Sequence, residues 1–241
     1  MWRRVFGRDR PPVLEPDAGY DLWSSTYDQE AEQNLMLVFD DDVFSRLLAR
    51  VSVAGKQTVD VGCGTGRHWS RLLAFAPAGL VGYDVSAGML ARLRAKHPDA
   101  VVHRPVGHLL RETGDATCDV VISTLALSHI ADGAAALAEW SRVLRPGGDI
   151  IVTDFHPAAR ARTACSFRHD GQTKTITLYP QPLASLIAAA ADAGLVLRAR
   201  EERIVDASVR DRFAAGGALS SYERLKGLPL VYGLHFRKTP R

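Results

Sequence analysis

The sequence predicts an α/β fold, a mostly parallel sheet with helices on both faces. Three observations predict it. Short β-type runs alternate with helical patterns between Thr58 and Phe155, the rhythm of strand–helix–strand units. One run, "CDVVIST" from Cys118, is apolar in the way of a strand covered on both faces. The length, 241 residues, and the composition, 46% hydrophobic and 24% charged, suit one globular domain.

Each element has a local reason. Leu35, Val38, Phe39, Phe44, Leu47, Leu48 and Val51 recur at three- and four-residue steps, predicting an N-terminal helical cap over 20–55 with one buried face. A core over 56–155 follows. "TVDVG" reads as its first strand, and "RHWSRLLAFA" as a helix with Trp69, Leu72, Leu73 and Ala76 on one side. "GLVGYDV" is a second strand, and "SAGMLARLRAKHP" a helix that Ser86 N-caps and Pro98 ends. "AVVHRPV", "CDVVIST" and "DIIVTDF" are further strands, with "DGAAALAEWSRVLRPGG" as a helix closed by its Pro-Gly-Gly turn. Over 156–241 the rhythm breaks. A polar stretch contains one alternating run, "TKTITLY". A helix from Leu183 to Ala193, the strand "LVLRARE", the loop-rich "RDRFAAGGALSSYERLKGLP" and the strand "LVYGLHFRK" follow, the last expected antiparallel at one end of the sheet. Residues 1–19 read as a flexible Arg/Pro-rich tail, leaving 20–241 as a single domain.

Charge and cysteines narrow the function. The first ten residues hold four arginines and one aspartate, which equals the whole-chain charge of +3, so the rest is balanced. A folded basic face for nucleic acid is therefore not expected. Cys63, Cys118 and Cys165 are odd in number and far apart, and no histidine spacing suits zinc, so neither a disulfide framework nor a metal is expected. No apolar run reaches the ~18 residues of a membrane span. The opening stretch lacks the apolar region of a secretory signal, so the cytoplasm is the expected location.

The chemistry concentrates in "VDVGCGTGRH" from Val59. A dinucleotide loop would place a third glycine at Arg67 or Trp69, and a P-loop would need a Lys followed by Ser or Thr; neither register fits. The loop does suit a ligand with a carboxylate, an ammonium and a sugar. Asp60 at the strand end draws a cation, and the glycines let backbone N–H groups and a helix N-terminus approach an anion. Asp84 ends the next strand, where an acid accepts bonds from a ribose diol.

In this order and spacing, "VDVGCGTGRH", "VGYDVSAGML", "CDVVISTLALSHI" and "LRPGGDIIVTDF" resemble the class I S-adenosylmethionine-dependent methyltransferases, in particular their small-molecule and quinone-type branch. The resemblance covers Tyr20 to Phe155 and implies a Rossmann-like, seven-stranded, mostly parallel sheet with its last strand antiparallel. It implies S-adenosylmethionine as cofactor and S-adenosylhomocysteine as product. It places Asp60, Gly62, Cys63, Gly64 and Gly66 at the methionine part, Asp84 at the ribose, Val85 and Met89 on the adenine, Leu125 near the cofactor and Tyr27 at its carboxylate. The stretch 156–241, beyond the resemblance, is expected to supply the acceptor side and the C-terminal strands. One position departs: where the family has Gly-Asp to bind the adenine amino group, this chain has Gly107 and His108.

A sulfonium methyl is already activated, so such an enzyme mainly aligns the nucleophile and excludes water. His129 and His156 follow strands on the cofactor side and are the candidate bases or orienting groups. Tyr20, Trp23, His156 and Tyr179 are the candidate acceptor contacts. The expected activity is methyl transfer to O, N, S or C of a small molecule. The alternatives are a macromolecular acceptor or a cofactor-binding partner subunit without turnover. "STLALSH" lacks the proline and aromatic of amino-methylating nucleic-acid enzymes, so no nucleic-acid partner is expected.

Overall fold

The computed structural model describes residues 12–31, 34–162 and 164–240. The N-terminal elements are β1 (Val13–Leu14), α1 (Pro16–Trp23), α2 (Tyr27–Ala31) and α3 (Leu35–Leu48). The core follows as β2 (Gln57–Val61), α4 (Trp69–Ala74), β3 (Gly79–Tyr83), α5 (Ala87–Lys96), β4 (Val101–His103), β5 (Cys118–Thr124), α6 (Gly133–Val143) and β6 (Leu144–Phe155). Then come β7 (Ser166–His169), β8 (Gln172–Ile176), α7 (Leu183–Asp192), β9 (Leu195–Ile204), α8 (Arg210–Ala215), α9 (Leu219–Leu225) and β10 (Pro229–Lys238).

Seven strands form the main sheet in the order β4-β3-β2-β5-β6-β10-β9. The five from β2 to β6 are parallel, and β10 is antiparallel to both its neighbours. Alternate residues serve opposite faces, as the pleat requires. Val120 and Ile122 pack with α3, α4 and α5, while Val121 packs with α6 and α7. Trp69 and Trp140 are almost wholly buried, one on each face. Caps match the sequence: the Ser86 side chain accepts from the Met89 N–H at 3.0 Å, and Asp132 caps α6. Strand order reverses between β2 and β5, and ligands bind beyond the strand ends at such a switch point.

The structure revises four expectations. The flexible tail over 1–19 ends earlier: Val13–Leu14 pairs with β8, and α1 starts at Pro16, a residue suited to the first helical turn. Residues 1–11 lie outside the described residues. The last strand is not at the end of the sheet, because β9 continues outward from it. The polar stretch after Phe155 folds a hairpin, β7–β8, which joins β1 in a three-stranded sheet of its own. The loop-rich stretch contains α8 and α9, which bury Phe213, Tyr222 and Leu225. Among the described residues, no helix is long and apolar enough to cross a membrane, and no three His, Cys, Asp or Glu side chains group as metal ligands.

Candidate active site

A cavity of about 650 Å³ opens at the switch point, over the ends of β2, β3 and β5. Its floor is the glycine corner. Gly62, Gly64 and Gly66 have φ of +73°, +54° and +78°, values that favour glycine. A Cβ on Gly62 would sit 2.2 Å from the Ala126 Cβ. A Cβ on Gly64 would meet nothing within 4 Å, so that backbone faces open space. Gly62 and Cys63 both donate to the Tyr83 carbonyl, at 2.7 and 3.0 Å, which ties the corner to the end of β3. Leu125, just past β5, holds a left-handed φ of +53°, uncommon for a side chain with a Cβ.

Two buried acids face this corner. Asp84 accepts from the Gly64 N–H at 2.8 Å and the Ser86 N–H at 2.9 Å. Burial raises its pKa to about 6 against those bonds. Asp60 accepts from the Trp69 indole at 2.9 Å, and burial, helped by the charge of Asp84, raises it to about 7. Each carboxylate oxygen retains lone pairs for a further donor.

The roof comes from distant parts of the chain. Tyr27 enters the cavity, and burial pushes its hydroxyl up to about 12 although the Arg67 charge opposes this. Arg67 also lines the wall and is paired with the fully buried Asp40, which Thr153 hydrogen-bonds in turn. At the other end the Tyr20 hydroxyl lies 2.9 Å from His129 Nε2, and His129 Nδ1 lies 3.0 Å from the Thr177 carbonyl. A carbonyl only accepts, so Nδ1 carries the proton and Nε2 accepts from Tyr20. Burial lowers the His129 pKa to about 4 and raises that of Tyr20, so both stay neutral.

Of the residues expected at the site, Tyr20, Tyr27, Asp60, Gly62, Cys63, Gly64, Asp84, Val85, Met89, Gly107, His108, Leu125 and His129 line this cavity. Gly66 stands behind the loop, against Leu93 and Trp69. Three expected acceptor-side residues are elsewhere. His156 follows β6 but its N–H bonds Leu230, on the β10 side, and its ring packs near Tyr232 and 3.7 Å from Glu202. Trp23 is stacked on Phe167 under the small sheet. The Tyr179 hydroxyl donates to Glu15 at 2.9 Å, outside the cavity wall. Among the wall residues not anticipated are the charged Glu15, Asp17, Arg67, Arg104 and Asp132. Arg67 had a signal: a cation directly after a loop suited to a carboxylate.

The cavity accommodates a nucleoside with an amino-acid tail: its volume lies in the range of ligand pockets, its glycine backbone is open, and buried carboxylates await donors. Residues 59–152 match the family model described as a methyltransferase domain. An uncharacterised methyltransferase of Emericella nidulans is 29% identical, the match covering 81% of this chain and 83% of that one. The malonyl-[acyl-carrier protein] O-methyltransferase of Serratia marcescens is 34% identical over 58% of this chain, which spans 64% of that enzyme's length. The crystal structure of an S-adenosylmethionine-dependent methyltransferase from Mesorhizobium loti aligns with a TM-score of 0.64, at 22% identity, over 83% of this chain and 98% of that one. The matched segment and the relatives agree on an S-adenosylmethionine-dependent methyltransferase domain, and the fold is that of class I.

Proposed function

We propose that this chain methylates a small molecule that is not a carboxylate, at O, N, S or C. The observation that carries the reading is the charge of the acceptor half of the cavity. Glu15, Asp17 and Asp132 line the cavity with Tyr20, His129 and Ile130, while of its two arginines Arg67 is paired with Asp40 and Arg104 donates to the Val85 carbonyl at 3.1 Å, next to Asp84. A carboxylate acceptor would meet like charges there without a paired cation, which disfavours it.

S-adenosylmethionine, when bound, supplies an electrophilic methyl group. The residues that would hold it are Asp84 for the ribose, Tyr27 and Arg67 for the amino-acid carboxylate, Asp60 for its ammonium, and Val85 and Met89 for the adenine, with Gly107 and His108 at its rim. Gly62, Cys63 and Gly64 offer backbone, and Leu125 borders the acceptor side. Tyr20 and His129 act as an orienting pair. Neutral His129 fixes the Tyr20 hydroxyl, which the Cys165 thiol also reaches at 3.7 Å, and the remaining lone pair accepts from a proton-bearing acceptor group and turns that group's lone pair inward. With a pKa near 4, His129 is too weak a base to deprotonate an alcohol or ammonium at neutral pH.

The test is turnover with labelled S-adenosylmethionine on a panel of phenols, quinols, amines, thiols and free carboxylic acids. Methylation within the phenols, quinols, amines or thiols is expected. Methylation of the carboxylic acids alone contradicts the reading.

A further inference from the structure

We propose that Asp21 and Asp28 are positioning residues that fasten α1 and α2, the lid over the cavity, to opposite ends of the cofactor site, Asp21 to the ribose corner and Asp28 to the glycine loop. The inference rests on the cofactor assignment above. The stretch "YDLWSSTYD" repeats Tyr-Asp seven residues on, as Tyr20-Asp21 and Tyr27-Asp28. Both tyrosines line the cavity, and neither aspartate does.

Both carboxylates turn instead to the loops beneath. Asp21 Oδ1 accepts from the Ser86 hydroxyl at 2.6 Å and the Gly88 N–H at 2.9 Å. The Ser86 N–H in turn donates to Asp84, so Asp21 is one residue removed from the acid assigned to the ribose. Asp28 Oδ1 accepts from the Thr65 hydroxyl at 2.6 Å, inside the glycine loop, and its Oδ2 accepts from Lys96 at 3.1 Å. Thr65 is buried and Asp28 is exposed, so the bond ties the inside of the glycine loop to the outer segment.

A separate feature supports the docking. A Cβ on Gly88 would lie 2.4 Å from the Ser24 hydroxyl oxygen and 3.2 Å from the Asp21 carbonyl oxygen. The lid helix and the start of α5 approach as closely as a glycine permits. Each tyrosine is thus placed by the aspartate beside it, and the acceptor wall is set by the same contacts that set the cofactor loops.

The experiment is calorimetry on the full chain with two probes. S-adenosylhomocysteine spans both ends of the site; 5′-methylthioadenosine has the nucleoside without the amino acid. Asp21→Ala is expected to weaken both by about tenfold, the worth of one hydrogen bond to a charged group. Asp21→Asn, which keeps an acceptor oxygen, recovers most of that loss. Asp28→Ala weakens S-adenosylhomocysteine about tenfold and leaves 5′-methylthioadenosine within about twofold. Gly88→Ala, which displaces the lid without touching a carboxylate, reproduces the Asp21→Ala pattern and keeps the test open if that variant folds poorly. Equal losses on both probes in Asp28→Ala, which mean general loosening, overturn the proposal. Unchanged affinities in both alanine variants overturn it too. A wild-type chain that binds neither probe overturns the cofactor assignment itself.

Discussion

The two halves of the cavity are built in different ways. The cofactor half stands on the ends of three adjacent parallel strands, and most of its groups lie within one continuous stretch from Asp60 to Met89, with Tyr27, Gly107 and His108 joining from outside it. The acceptor half draws Glu15 and Tyr20 from the N-terminus and His129 from the turn after β5, with the Thr177 carbonyl fixing the histidine. The first is a backbone device: left-handed glycines and carboxylates tied to N–H groups. The second is a side-chain device assembled by a lid. Backbone devices tolerate little change, whereas a side-chain wall can vary while the fold persists.

The sharpest way to break the contrast is at Gly62. Gly62→Ala forces a left-handed alanine and a contact 2.2 Å from the Ala126 Cβ. Strain and overpacking together are expected to cost about 2–4 kcal/mol in denaturant unfolding and to abolish S-adenosylhomocysteine binding. Unchanged binding would mean that the corner is not part of the site.

The acids give the next effect. Asp84 and Asp60, raised to about 6 and about 7, are protonated in acid and must be ionised to accept from a ribose diol or draw an ammonium. Affinity for S-adenosylhomocysteine is therefore expected to rise with pH between about 5 and 8, by about tenfold for each group per pH unit below its own pKa, with proton release on binding. Calorimetry in buffers of different ionisation enthalpy reads that release directly; proton uptake would contradict the assignment.

The acceptor half predicts a smaller and different signature. Tyr20→Phe removes the hydroxyl that His129 holds, and turnover is expected to fall about tenfold while S-adenosylhomocysteine affinity stays within about twofold. A matching loss of cofactor affinity would erase the distinction between the halves. The smallest effect belongs to His156, which lies off the cavity wall: His156→Ala should keep turnover within about twofold of wild type.

The same contrast explains what the sequence made legible. Gly62, Gly64 and Asp84 were readable because a strand, a left-handed turn and a strand-end acid constrain one another locally. Their positions follow from chain order. His156 misled because a strand end fixes a Cα and not a side: β10 pairs on its side of β6, away from the switch point. Trp23 and Tyr179 looked like acceptor contacts from their aromatic character, but only the docking of β1 on β8 decides which lid aromatics face inward. Glu15 and Asp17 were hidden for the opposite reason, because a Pro- and Arg-rich segment reads as a tail until a partner strand far along the chain orders it.

The cofactor half turns on Asp84, just past β3, which we propose holds the ribose of S-adenosylmethionine. Titration of S-adenosylhomocysteine into the wild-type chain and Asp84→Ala tests it most directly. Losing bonds to a buried carboxylate predicts roughly 10- to 100-fold weaker binding in the variant, with the fold retained. Equal affinity in the two proteins would contradict it.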